Sequence, residues 1–390
     1  MMIGLFKKEN FTIENNPKNA EIIVINTCGF IESAKEEAIN TILEMAQFKI
    51  NGKCKYLIVT GCLVKRYKAD LEKALPEVDL FVGADEYDLL WDNVLELLKE
   101  KSKSQNTLDY MDRVISTGNK TAYLKIAEGC SNNCTYCAIP SIRGPYVSRE
   151  IGAILREAQW LAEQGYEELI VIAQDTTKYG VDLYGEPKLA ELLKKLCKLD
   201  GPKWIRFLYA YPESITDELI QVVKENDKIC KYFDIPLQHF SNNILKRMNR
   251  KSDSKSIENT INKIRKEIPN VIIRTTMIVG FPSETEDDFN ELLEFVKRAK
   301  FEKLGAFKYS KEDGTPASRM KDQIHYKTKQ RRWNTLMNIQ KEISEQKLSE
   351  KIGNKEAKIL FNTVLLPYRM YSNLKENGLK NTIKKLIKKS

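Results

Sequence analysis

Glu128 to Ile139 (EGCSNNCTYCAI) sets Cys130, Cys134 and Cys137 in a C-x3-C-x2-C spacing, directly behind a strand candidate at 120–127. Five more strand candidates follow, at 168–174, 203–211, 232–238, 270–280 and 303–310. Helical patterns separate them, including 149–164, 187–199, 216–226, 255–267 and 285–299. Repeated βα units without internal hairpins imply either a barrel or an open doubly wound parallel sheet. In both architectures chemistry gathers at the C-terminal ends of the strands, where this cysteine loop falls.

Three thiolates this close can each hold one iron of a [4Fe–4S] cluster, and the spacing builds in no fourth protein ligand. An open iron can bind and activate a small molecule, whereas ligation by four cysteines usually serves electron transfer or structure. Zinc is the main alternative. Structural zinc usually wants four ligands, and the chain has two histidines, His239 and His325.

Ahead of this region, Ala20–Asn26 (AEIIVIN) and Tyr56–Thr60 (YLIVT) are short β-branched runs, typical of buried parallel strands. Leu80–Val82 is a weaker third strand, and 31–48 and 85–99 have helical patterns. The alternation implies a small parallel α/β domain. Cys28 follows the first strand (NTCG) and Cys62 the second (TGC), so both thiols sit at C-terminal strand ends, where they can converge. Cys54 precedes the second strand. Eight extended residues span about 26 Å, which keeps Cys54 from joining that site. Cys54, Cys197 and Cys230 are assigned structural roles. Lys101–Thr107 (KSKSQNT) has the composition of a linker.

The chain has 390 residues, 42% hydrophobic and 30% charged. That is ordinary for globular protein, excludes wholesale disorder, and suffices for more than one core. No apolar run approaches the roughly 18 residues of a spanning helix, and the first ten residues are too weakly apolar for a signal peptide. A cytoplasmic protein without membrane contact is expected. The formal net charge of +9 favours polyanionic surroundings such as RNA or ribosomes, but a lysine-rich surface tuned for solubility explains it equally well.

The C-x3-C-x2-C loop after the first strand of a six-unit βα region resembles the radical S-adenosylmethionine (SAM) superfamily. The resemblance implies that SAM chelates the open iron through its amino and carboxylate groups, and that reductive cleavage yields a 5′-deoxyadenosyl radical. Tyr136 matches the aromatic position beside the adenine; its plainer reading is a core aromatic. Residues 277–284 (MIVGFPSE) match the fifth-strand pattern, in which Gly280 would let backbone approach the cofactor closely; its plainer reading is a turn.

A small α/β domain with cysteines in NTC and TGC contexts ahead of such a core resembles, more narrowly, the methylthiotransferase family of radical SAM enzymes. Four stretches look like its ribosomal-protein branch: INTCGFIESAKEEAI at 25–39, LKIAEGCSNNCTYCAIPSIRG at 124–144, IAQDTTKYGVDLYG at 172–185 and PLQHFSNNILKRMNR at 236–250. The resemblance covers about residues 20–350. It implies two [4Fe–4S] clusters, one on Cys130, Cys134 and Cys137 and a second in the N-terminal domain involving Cys28 and Cys62. It also implies two uses of SAM, as methyl donor to cluster-bound sulfur and as radical source. The implied reaction adds a methylthio group to the β-carbon of an aspartate in small-subunit ribosomal protein twelve. The implied partners are that ribosomal protein within the small subunit, an electron donor of flavodoxin or ferredoxin type, and RNA through the basic charge. Gln174, Gln238 and Arg274, at or near strand ends, are candidates to orient SAM or substrate, with ordinary barrel-mouth hydrogen bonding as the alternative. No single side chain is assigned as catalytic, because an unactivated C–H bond offers no acidic proton for acid–base catalysis.

Against the family pattern, a first strand and a first cysteine have no counterpart ahead of Cys28. The family's C-terminal β-domain (TRAM) is matched at Gly353–Phe361 (GNKEAKILF) before a lysine-rich tail, Lys380–Ser390. The expected organisation is a truncated N-terminal domain at 1–105, a partial (βα)6 radical SAM barrel at 116–348, and a TRAM remnant with a basic tail at 349–390. With two cysteines in place of three, the second cluster is expected to be compromised. The chain is then expected to cleave SAM but to transfer little methylthio group. Two other functions compete: methylthiolation of a tRNA adenosine, and an inactive iron–sulfur protein.

Overall fold

The computed structural model describes residues 2–99, 110–115, 117–118 and 120–352. The linker at 101–107, the stretch Gly353–Phe361 and the basic tail lie outside the described residues.

Strands β1 (Ile22–Thr27), β2 (Tyr56–Gly61) and β3 (Leu80–Gly83) form a parallel sheet in that order. Alternation of side chains along each strand sends apolar residues to both faces. Ile23, Ile25, Leu57, Val59 and Phe81 pack with Ala38, Ile42, Leu63 and Leu71 of helices Glu32–Ala46 and Cys62–Ala74. Ile58 and Val82 pack on the opposite face with Leu5, Phe6, Trp91 and Val94, from helices Met2–Lys8 and Leu90–Leu98. Each fully buried aliphatic side chain contributes about 1.5–3 kcal/mol, so two covered faces stabilise even a three-stranded sheet.

Six further parallel strands follow: β4 (Thr121–Lys125), β5 (Glu168–Ile172), β6 (Trp204–Phe207), β7 (Tyr232–Gln238), β8 (Ile272–Val279) and β9 (Lys303–Lys308). They pair as β4–β5–β6 and β7–β8–β9, and a parallel bridge between Ile205 and Ile229 joins the two ladders. Spatial order therefore follows chain order. A doubly wound sheet would reverse its order partway, so of the two expected architectures the observed one is the barrel arc. Among the described residues β4 and β9 are its outer strands, which leaves the arc open as a partial barrel.

The intervening helices cover the outside with one apolar face each, as Ile154, Ala158 and Leu161 do in helix Ile151–Glu163. Capping boxes start two of them, Asp253 with Ser256 and Thr285 with Asp288, each worth about 1 kcal/mol. The expected strand 203–211 is shorter than its apolar pattern. Tyr209 takes a left-handed φ of 61°, and Ala210 N–H donates to Asp234 O at 2.8 Å, so the chain leaves its own ladder to bond β7. The long helix Tyr326–Ile352 packs back on β9, where Trp333 Nε1 donates to Ala306 O at 2.7 Å. Among the described residues no helix is long and apolar enough to cross a membrane.

Candidate functional site

The loop behind β4 closes at its base, where Ala127–Glu128 pairs antiparallel with Val147–Ser148 and Cys130 N–H donates to Gly144 O at 3.1 Å. Cys137 N–H turns back onto Cys134 O at 3.0 Å. Thr135 is held from two directions: its N–H and Oγ1 donate to Met248 O (3.1 Å) and Arg247 O (2.8 Å), and its carbonyl accepts from Ala317 N–H (2.9 Å). Cys130 and Cys134 are buried and Cys137 half-buried. Burial pushes the Cys137 thiol up to about 12, with Cys134 and Cys130 adding repulsion, and burial also raises Cys130. The three sulfurs thus sense one another in a desolvated site.

Among the described residues no group of three or more His, Cys, Asp or Glu side chains converges on one metal ion. A cuboidal cluster does not require it, since each thiolate would hold a different iron. Three mutually close, desolvated thiols on one clamped loop fit a [4Fe–4S] group as its donor set.

Tyr136 lies half-buried with Ile244, Met248, Phe281 and Tyr309, and desolvation and the adjacent Cys134 raise its hydroxyl pKa. Gln174 is exposed, just past the end of β5. Gln238 ends β7 with a left-handed φ of 73°, where the β7–β8 register shifts. Gly280 directly follows β8 with φ 72°. A Cβ there would lie 2.3 Å from Lys329 Cγ, so the face of Gly280 is covered by the long C-terminal helix. Tyr136, Gln174, Gln238 and Gly280 therefore share the C-terminal edge with the cysteine loop. Arg274 does not: it is the third residue of β8 and is ion-paired with buried Asp234 at 3.1 Å, toward the opposite end.

Thr27 and Gly61 are register partners, so Cys28 and Cys62 leave adjacent strand ends side by side. Cys54 is buried at the start of β2, far from both. Cys62 packs with Ala138 and Ile142, which follow Cys137 directly. Arg143 lies over the Tyr87 ring at 5.9 Å and 4.0 Å from Glu128 Oε2. Burial opposes the Arg143 charge, but Cys62, Glu128 and Tyr87 outweigh it and raise its pKa. The two cysteine groups thus face each other across one boundary.

Several polar residues of this edge carry no periodicity signal. Arg250 is 8% exposed, lies over the Tyr211 ring at 4.2 Å, donates to Pro236 O at 2.9 Å and approaches Cys134 Sγ at 4.0 Å. Asp175, fully buried, accepts from Asn132 Nδ2 at 2.8 Å and Thr177 Oγ1 at 2.5 Å; its carbonyl accepts from Tyr146 OH at 2.7 Å. Burial raises the Asp175 pKa against those bonds. Both residues stand inside the distinctive stretches 172–185 and 236–250, which was the one available hint.

Residues 124–296 match the radical SAM superfamily, and residues 1–83 match a family described as uncharacterized protein family UPF0004. The chain is 64% identical over 353 residues to the ribosomal protein uS12 methylthiotransferase RimO of Alkaliphilus oremlandii, covering 90% of this chain and 80% of that protein. It is 53% identical over 363 residues to the protein of the same name from Clostridioides difficile, covering 90% and 81%. Among solved structures it is similar in fold to the radical SAM methyltransferase TsrM from Kitasatospora setae. The TM-score is 0.58 at 12% identity, over 81% of this chain and 68% of that one.

Proposed function

The chain belongs to the family of ribosomal protein uS12 methylthiotransferases, RimO, and from that membership we propose that it adds a methylthio group to the β-carbon of an aspartate in ribosomal protein uS12. The observation that carries this reading is the facing arrangement of the two cysteine groups, with Cys62 packed against the segment that follows Cys137. Sulfur insertion needs a sulfur-bearing site beside a radical-generating one.

In this reading Cys130, Cys134 and Cys137 hold the SAM-binding [4Fe–4S] cluster, and Cys28 and Cys62 contribute to a second. When bound, cluster and SAM supply the one-electron chemistry that removes hydrogen from an unactivated carbon. The chain's own residues position and enclose. The bonds on Thr135 fix the cysteine loop, Tyr136 flanks the cofactor place, and Gly280 turns the chain at the same edge beneath the Lys329 side chain. Gln174 and Gln238 offer amides at the same edge, and Arg250 holds a buried positive charge against Cys134. Arg274, paired with Asp234 early on β8, is further from that edge than the other candidates. The domain limits follow the same reading: 1–105, 116–348 and 349–390. A flavodoxin- or ferredoxin-type donor supplies electrons, the basic charge suits a substrate presented beside RNA, and the setting is the cytoplasm.

The test is mass spectrometry of ribosomal protein uS12 after expression in a strain lacking the endogenous enzyme. A methylthio group in place of one hydrogen on the aspartate is the expected modification, at the low yield that two cysteines in place of three imply. Methylthiolated adenosine in tRNA with unmodified uS12 would overturn the substrate assignment.

A further inference from the structure

The segment after β9 touches both cysteine groups. Glu312 is 2% exposed, and its Oε2 accepts from Arg66 Nη1 at 3.2 Å and Lys35 Nζ at 3.2 Å. Arg66 also donates to Gly29 O at 2.5 Å and, through Nη2, to Asp313 O at 2.8 Å. Tyr67 OH adds a bond to Asp313 Oδ2 at 3.3 Å. Gly29 is the neighbour of Cys28. On the other side, Ser310 Oγ donates to Glu312 Oε1 at 2.6 Å, and Thr315 N–H and Oγ1 donate to Glu312 O at 3.2 and 2.7 Å. Two residues on, Ala317 N–H donates to Thr135 O at 2.9 Å, and Thr135 is the neighbour of Cys134. A path of hydrogen bonds joined by the short backbone segment 312–317 thus runs from the backbone beside Cys28 to the backbone beside Cys134.

We propose that Arg66 and Glu312 form a positioning clasp that sets the Cys28–Cys62 site against the Cys130–Cys137 loop, an inference that rests on the methylthiotransferase reading for its purpose but not for its geometry. The physical case is one of alternatives. A surface ion pair would contribute little to orientation. Here the carboxylate is buried with two cations on one of its oxygens, and removing its charge leaves Arg66 with the neutral acceptors Gly29 O and Asp313 O and Lys35 with Glu32. Arg66 also contacts four residues at once: Glu312, Asp313 and Gly29 by hydrogen bonds, and the Tyr67 ring at 5.1 Å. A planar fork can span such acceptors; a lysine ammonium on a flexible stem cannot hold all of them at once. Lys35 plays a supporting part, since it divides its charge between Glu312 and Glu32 at 2.7 Å.

For a reaction that joins a sulfur-bearing site to a substrate radical, an error of about 1 Å in relative placement can cost on the order of a hundredfold in rate. SAM cleavage, which this reading places at the Cys130–Cys137 loop and the strand ends around it and not at the Cys28–Cys62 site, does not need that alignment. Loosening the clasp therefore uncouples the two: cleavage continues while transfer falls.

The test uses the full chain with its clusters reconstituted, as wild type and as Glu312→Gln, Arg66→Lys and Lys35→Met. Hydrogen exchange is followed by mass spectrometry. For Glu312→Gln, exchange should rise about tenfold in the segments holding Cys28–Phe30 and Asn133–Tyr136 together, with helix Leu189–Cys197 unchanged. Arg66→Lys should be intermediate and Lys35→Met smaller. In parallel, the ratio of SAM cleaved to methylthio group transferred should rise about tenfold for Glu312→Gln. Exchange confined to 310–317, or a rise spread evenly over the whole chain, would overturn the clasp. So would a wild-type coupling ratio in Glu312→Gln. If Glu312→Gln does not fold, Arg66→Lys is judged by the same two criteria. Methylthiolated adenosine in tRNA with unmodified uS12 would overturn the substrate reading, while the exchange pattern would still decide the clasp.

Discussion

Thr27 and Gly61 are partners at the ends of adjacent parallel strands, and the residue that follows each strand is a cysteine. Gly61 holds φ 112° and ψ −161°, a region essentially reserved for glycine, and a Cβ there would stand 2.4 Å from Thr27 O. The closeness of Cys28 and Cys62 therefore depends on the absence of a side chain one residue away.

Gly61→Ala should destabilise the chain by about 1–3 kcal/mol and push the two cysteines apart. Chemical denaturation measures the first effect. Capture of both thiols by one arsenical reagent, efficient in wild type and reduced in the variant, measures the second. An unchanged capture rate would show that the strand ends tolerate the side chain.

Cys134→Ala should abolish reductive formation of 5′-deoxyadenosine and remove one cluster's iron and sulfide, because the loop contributes three thiolates and each holds an iron. Cys54→Ala should change neither, since Cys54 lies at the far end of its strand. Wild-type cleavage in Cys134→Ala would refute the cluster assignment.

Gly280→Ala should be destabilising for two separable reasons. Its φ of 72° costs an alanine about 1–2 kcal/mol, and the new methyl meets the Lys329 side chain at 2.3 Å. Adding Lys329→Ala should recover the steric part and leave the backbone part. Thermal unfolding of both variants checks this; full recovery would mean that the left-handed conformation is not required.

Glu302 anchors the C-terminal helix, through an ion pair with Lys347 and a bond from Ile273 N–H at 2.9 Å. Burial opposes its charge, but these partners prevail and lower its pKa below the ordinary glutamate value of 4.5. A folded pKa below the unfolded one adds stability above the unfolded value and loses it as pH falls through the folded value. Glu302→Gln should therefore cost about 1–3 kcal/mol near neutral pH, with the difference from wild type shrinking below pH 4.5. Denaturation curves at pH 7 and pH 4 test the sign; a deficit that grew on acidification would reverse it.

Much of the architecture was legible in the chain itself, since it rests on local signals. Apolar runs of five to seven residues bounded by turns, such as 56–60 and 232–238, became strands, and the cysteine spacing located the loop behind β4. Quoted stretches such as 124–144 and 236–250 were sufficient for the family, which the relatives bear out. The strand candidate 203–211 ran too long because apolar pattern does not reveal that Tyr209 turns left-handed and hands its neighbour to β7.

What the residues determined alone is therefore the alternation of elements, the three-thiol loop and the family. Strand and helix alternation alone left barrel and doubly wound sheet open and the family resemblance chose the barrel, while the strand neighbours that realise it are a tertiary matter, because both architectures bury the same runs. The placement of Arg274 beside Asp234 early on β8, the covering of Gly280 by Lys329, and the meeting of Arg66 with Glu312 across 246 residues of chain were tertiary matters too. Periodicity reports which face of an element avoids water. It says nothing about which distant face meets it, and polar contacts between distant segments are set by that meeting alone.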